Sequence, residues 1–307
     1  MKITQLFSAI GLATYSVNTF GATCSCAGVP LLNSMSSSSV EQRQWFVNVS
    51  YEQHEMNRLY SGSDEVKDET NRNRSTDSMI VQTDYGINEF WSVSTMVSYV
   101  DHQREIGSST NSFSSASGLG DGLLLFKYTP KKIDLFSKWQ YSLGAGVKIP
   151  LGEDDAKENG VTVSEDLQPS SGSYSALTWA YLGYAFEQSG QTQIFISSHY
   201  SFNQENRRNY TNGNEFNLVL GASYSMMEKW GFAAQLRYRT TQADERNGDD
   251  IANTGGSWVD FIPSVQYRIN DKSAVNFGVR IPVHRNLQGA LQFTTSSAAT
   301  LGFSYGF

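Results

Sequence analysis

The chain has 307 residues, 39% of them hydrophobic and 17% charged, with a formal net charge of −7. Neutralising phosphate requires clustered Lys and Arg, and an acidic chain without such a cluster is not a nucleic-acid binder. Gly (26), Phe (17) and Tyr (16) are plentiful and Pro (6) is scarce, a balance that suits strands and turns better than a helical bundle.

The first 22 residues read as a secretory signal: Lys2 supplies the positive start, Leu6 to Val17 a mostly apolar stretch, and Gly21 and Ala22 the small residues near a cleavage point. That stretch is too short to span a bilayer, and no later window is apolar enough to do so as a helix. Residues 23–40 follow as a periplasmic tether, with a plug inside the lumen as the alternative. Cys24 and Cys26 lie in this tether. A bridge across a single residue is strained, and Thr23 is larger than the residue that normally precedes a lipidated cysteine.

From about residue 41 to Phe307 the chain alternates apolar and polar residues with a period of two, the signature of strands with one apolar and one polar face. Trp45, Val47, Val49 and Tyr51 open the series. Met79 to Tyr85, Trp91 to Tyr99, Leu124 to Tyr128, Tyr141 to Ile149 and Tyr174 to Tyr184 continue it, then Ile194 to Phe202, Phe216 to Tyr224, Phe232 to Tyr238, Val259 to Tyr267 and Val275 to Val283. A last segment runs from Leu291 to Phe307, which makes twelve. Many apolar faces begin or end on an aromatic residue, and connections alternate between long polar ones (53–76, 101–119, 151–172, 203–214, 242–256) and short ones. Both traits are those of outer-membrane barrels, with long loops outside and short turns inside. The fold expected is therefore all-β: a transmembrane antiparallel up-and-down barrel over residues 41–307, surrounded by outer-membrane lipid and lipopolysaccharide. Pro263 falls inside the tenth strand and predicts a bulge or a missing ladder bond, whereas Pro150 and Pro282 are placed at strand ends. The run Leu301-Gly-Phe-Ser-Tyr-Gly-Phe307 resembles the C-terminal signal that the barrel-insertion machinery reads.

The polar faces carry the candidate site. Arg237, Arg239, Asp260 and Arg280 fall at similar heights on neighbouring strands, and Lys148 and His199 share the inward parity. Opposed charges at a constriction select solutes, or else pair with one another and fill the lumen. The triplet His199-Tyr-Ser201 with Asn203 resembles the His-x-Ser pair and Asn of outer-membrane phospholipases, but parity points it into the lumen, away from lipid. No catalytic motif is present, and the acids at 64–69, 153–155 and 249–250 lack the spacing of a calcium loop.

Three segments carry a wider likeness: Ser-Gly-Leu-Gly-Asp at 117–121, Gly-Val-Lys-Ile-Pro-Leu-Gly at 146–152 and Leu-Gln-Pro-Ser-Ser-Gly-Ser at 167–173. Together they resemble the transporter barrels of the meta-pathway phenol-degradation family. The resemblance implies passive passage of small solutes, hydrophobic or aromatic ones among them, with no catalytic residues and no cofactor. Locally the motifs read as structure, Gly118 and Gly120 allowing a sharp turn into the fourth strand and Pro150 with Gly152 ending the fifth. The competing readings are a lipid hydrolase and a structural or adhesive barrel working through the loop at 53–76.

Overall fold

A computed structural model describes residues 42–107, 112–130, 138–187, 191–227 and 229–307. The signal, the tether and both cysteines lie outside the described residues. No helix among the described residues is long and apolar enough to cross a membrane.

Twelve strands form one closed antiparallel barrel in which each pairs with its sequence neighbours and the first pairs with the last. In chain order they are β1 (Trp45–Met56), β2 (Arg72–Gly86), β3 (Trp91–Ile106), β4 (Ser112–Tyr128), β5 (Trp139–Pro150) and β6 (Ser175–Ala185). The second half comprises β7 (Thr192–Asn203), β8 (Glu215–Met226), β9 (Trp230–Thr241), β10 (Gly256–Arg268), β11 (Ser273–Leu287) and β12 (Ser297–Gly306). Closure runs from Phe46 opposite Gly306 to Glu55 opposite Ser297. Lipid offers no partner to a bare strand edge, so this seam is what lets the sheet exist in a bilayer.

The sides of the wall are reversed relative to a soluble protein. Tyr51, Tyr99, Leu143, Leu301 and Phe303 are exposed on the outer surface, while Asn48, Gln82, Asp84, Arg239 and Asp260 are buried within. A continuous apolar belt of this kind is a lipid surface. At the short-turn end the outward aromatics touch in pairs, with ring centroids 4.5 Å apart for Trp45 and Tyr85, 5.0 Å for Trp91 and Tyr128, and 4.8 Å for both Trp139 with Tyr184 and Trp230 with Tyr267. They form the interfacial girdle. Two of the short turns use one device: the Asn88 carboxamide oxygen accepts from Phe90 and Trp91 N–H, and that of Asn270 from Lys272 and Ser273 N–H, all at 2.9 Å.

Several sequence expectations are corrected. β3 and β4 continue far beyond the lipid belt, so the connection assigned to 101–119 shrinks to the few residues between Ile106 and Ser112. Gly118 and Gly120 therefore sit inside β4, beside a bulge where Val97 faces Gly122 and Tyr99 faces Leu119. Residues 292–294 form a strand of their own on Arg58–Ser61, and β12 begins only at Ser297. The irregularity expected at Pro263 is spread over β10 and β11. Their pairing skips from Phe261–Ile281 to Ser264–Gly278, and it shifts register between Val259 and Asp260, opposite Pro282, which lies within β11 and not at its end.

Candidate solute path through the barrel

From the short-turn end, the lumen begins as a cavity of about 400 Å³. Its wall includes the inward carboxamides Asn48, Gln82, Gln235, Gln266 and Asn276 together with Phe46, Ile80 and Ile262, and the charged groups at its deep end are Glu52 and Arg280.

Sharing Ile80 with the wall of this cavity is an apolar cluster the sequence reading missed: Ile80, Met96, Leu123, Leu125, Leu177, Trp179 and Tyr181, joined by Phe195. It comes from β2, β3, β4, β6 and β7, all on one side of the barrel. Glycines on β5, β6 and β8 make room for it. A Cβ on Gly221 would lie 2.2 Å from the Phe195 ring, one on Gly144 would meet Leu125 at 3.1 Å and Trp179 at 3.2 Å, and one on Gly183 would meet the Tyr181 hydroxyl at 2.8 Å. Period two assigned the apolar residues of β6 to lipid; Leu177, Trp179 and Tyr181 are apolar as well and face inward, so that strand is apolar on both faces.

Above the cavity lies a layer of ion pairs. Arg237 meets Asp260 at 2.5 Å, Arg285 meets the other oxygen of Asp260 at 2.6 Å, Arg239 meets Glu215 at 2.8 Å and Arg280 meets Glu52 at 3.3 Å. His54 contacts Arg280, His199 stands 3.7 Å from Glu215, and the Arg239 guanidinium sits 4.4 Å from the centroid of the Trp258 ring. The space left among Arg237, Arg239, Trp258, Asp260, Arg280 and Arg285 is about 10 Å³, enough for about one water molecule. Five of the six sequence candidates thus come together here: His199, Arg237, Arg239, Asp260 and Arg280. The charges of the layer are paired with one another and leave little space among them, while Arg280 Nε and Arg285 Nε stay without a hydrogen-bond partner among the described residues.

Lys148 belongs elsewhere. Its ammonium lies 3.1 Å from Asp121, whose carboxylate also accepts from Ser170 Oγ at 2.6 Å and Ser171 N–H at 3.0 Å. The three segments that carried the family resemblance, read as separate turns, converge on this one buried carboxylate. The loop between β5 and β6 is thereby pinned, and its short 3-10 turn Glu165–Leu167 is held from across the mouth. Arg74 of β2 donates to Asp166 at 2.9 Å, while Glu165 takes Arg246 at 2.7 Å and Arg208 beside it. Burial pushes the Glu165 carboxyl above the usual carboxylate range, against the pull of Arg208 and Arg246.

The sequence reading passed over Glu52, Glu215, Trp258 and Arg285. Parity alone finds the first three. Arg285 it places on the lipid side, because the bulge next to Pro282 leaves Val283 and His284 both outside and turns Arg285 inward. Ser201 donates to Asn203 at 2.9 Å, and all of the His199, Ser201 and Asn203 group points into the lumen. Among the described residues there is no cluster of three or more His, Cys, Asp or Glu that would hold a metal ion.

A profile of the family described as "Putative MetA-pathway of phenol degradation" matches residues 50–292. The chain belongs to that family. A search of curated proteins by sequence found no match. Among solved structures, the COG4313 outer membrane channel from Pseudomonas putida F1 superposes with a TM-score of 0.66 at 9% identity, covering 88% of this chain and 97% of that one. The KdgM porin gives 0.46 at 8% identity (85% and 99% covered), and the CymD monoaromatic hydrocarbon channel 0.45 at 9% identity (87% and 89% covered). This member of the family is a closed twelve-stranded antiparallel β-barrel with the fold of the COG4313 outer membrane channel.

Proposed function

We propose that the protein is a non-enzymatic outer-membrane channel for passive passage of small solutes, hydrophobic and aromatic ones among them. It would reach the membrane through a signal peptide cleaved near Ala22 and a C-terminal strand read by the insertion machinery. The observation that carries this reading is the apolar cluster around Trp179 and Tyr181, which lies inside the barrel beside a cavity lined largely by carboxamides and hydroxyls. A barrel wall needs no aromatic side chains in its lumen to close, whereas a site for apolar solutes is mostly lined by them. The family's description, with its reference to phenol degradation, supports the same solute class.

Proteoliposomes carrying the purified protein should take up phenol-sized aromatics faster than protein-free vesicles, and large oligosaccharides no faster. Absence of any protein-dependent uptake, for every small solute tried, would reject a channel. Trp179→Ala should change the rate for aromatic solutes more than for a sugar of similar size.

A further inference from the structure

Of the charged groups that line the cavity, only Arg280 is cationic. Its two terminal nitrogens are engaged, one by His54 and the other by Glu52 Oε1 at 3.3 Å. Its Nε is buried without a hydrogen-bond partner among the described residues, and the residue as a whole is 7% exposed. A guanidinium offers five donors in a fixed fork, and a buried donor left unmade is unfavourable. The nearby carboxylates are already committed. Asp260 is held by Arg237 and Arg285, and the second oxygen of Glu52 accepts from Thr300 Oγ1 at 3.1 Å. The rest of the inward wall is neutral: carboxamides that donate or accept, and the apolar Phe46, Ile80 and Ile262.

We infer that this cavity is a binding site for a small organic monocarboxylate, whose carboxylate is received by Arg280 and whose apolar body lies against Phe46, Ile80 and Ile262. This rests on the channel reading and narrows its solute class. The volume of about 400 Å³ falls at the lower end of ligand pockets, which span about 300–1,000 Å³, so the acid is a compact one of single-ring size. Glu52 then acts as the competitor: it occupies Arg280 in the empty site and yields when a carboxylate arrives.

The test is calorimetric titration of the folded full-length protein in detergent at neutral pH, with benzoate, benzyl alcohol and chloride as probes. Benzoate should bind at least about tenfold more tightly than benzyl alcohol, a difference of about 1.4 kcal/mol, since hydrogen bonds between two charged groups are stronger than those to a neutral hydroxyl. Glu52→Gln should tighten benzoate by removing the competitor, an effect that a merely structural ion pair does not give. The double variant Glu52→Gln with Arg280→Gln, which leaves no lone buried charge, should remain folded by heat-modifiable migration and lose the preference for benzoate. Equal binding of benzoate and benzyl alcohol overturns the inference. So does chloride binding that depends on Arg280 without any for benzoate, or a Glu52→Gln variant that binds benzoate more weakly. Uptake into proteoliposomes is scored separately. Benzoate binding at Arg280 without uptake of any solute rejects the channel and leaves the site, while equal uptake of benzoate and benzyl alcohol, unchanged in the double variant, rejects the site and leaves the channel.

Discussion

Gly221 shows how narrowly single residues shape the lumen. Its position on β8 faces the Phe195 ring so closely that a Cβ would lie 2.2 Å from the ring. Gly221→Ala therefore forces the ring out of place, and overpacking of this sort costs about 1–3 kcal/mol. We expect a lower unfolding midpoint in urea for Gly221→Ala and partial recovery when Phe195→Ala is added; additive losses in the double variant would show that the contact does not set the packing. A second residue-scale expectation concerns pH. Burial acts to raise the Asp68 carboxyl, but hydrogen bonds from Arg72 and Thr70 outweigh it and hold the group below its ordinary value. A depressed carboxyl contributes stability that is present above its unfolded value, near pH 4, and is lost as pH falls through the folded one. Protection factors of the amides at 64–72, which remove the intrinsic pH dependence of exchange, should thus be constant from neutrality to about pH 5 and fall below about pH 4, and Asp68→Asn should show the lower protection at neutral pH and converge with the wild type in acid. The same scale explains which site residues were legible. Arg237, Arg239, Asp260 and Arg280 follow the inward parity of their strands without interruption, so spacing alone brought them to one layer. Arg285 follows a bulge, and one extra residue reverses the face of everything after it.

At the scale of elements, the loop between β5 and β6 carries the closure of the outer mouth. Its Asp166 is tied to β2 through Arg74, and its Glu165 reaches Arg208 and Arg246 in the loops on the far side. Removing both carboxylates by Glu165→Gln with Asp166→Asn weakens bonds of the charge-assisted kind, each contributing about 1.5–3 kcal/mol. If this loop is the lid, the ratio of closed to open time in single-channel records should fall by at least about tenfold, and protease cutting within 153–168 should accelerate. Unchanged records alongside faster cutting would place the closure lower, in the Arg237–Asp260 layer. Strand positions were legible because lipid and lumen impose opposite demands on successive residues. The inner side of β6 was not, because Leu177, Trp179 and Tyr181 satisfy a lumen requirement with the residue types of a lipid one. The loop's role was hidden for a different reason: its anchor Asp121 meets Ser170 and Lys148 only after 117–121, 146–152 and 167–173 have been folded together.

For the molecule as a whole, the decisive property is that its apolar side faces out. Twelve alternating strands suit a soluble sandwich equally well if the apolar faces pack inward. What separates the two is the free energy of a charge on the apolar face as a function of depth. Leu301, near the middle of β12, and Tyr305, close to the aromatic girdle, are both outward and exposed. In a bilayer an Arg at the midplane costs about 2–4 kcal/mol and one near the interface about 0–1, because the second can reach the headgroups with its charged end. Leu301→Arg should therefore lower the stability of the folded barrel in lipid vesicles by the larger amount and Tyr305→Arg by the smaller. In a sandwich both positions would be core, and both substitutions would abolish folding without regard to depth. The gradient between the two variants, and not either value alone, tests that the β1–β12 seam closes inside lipid.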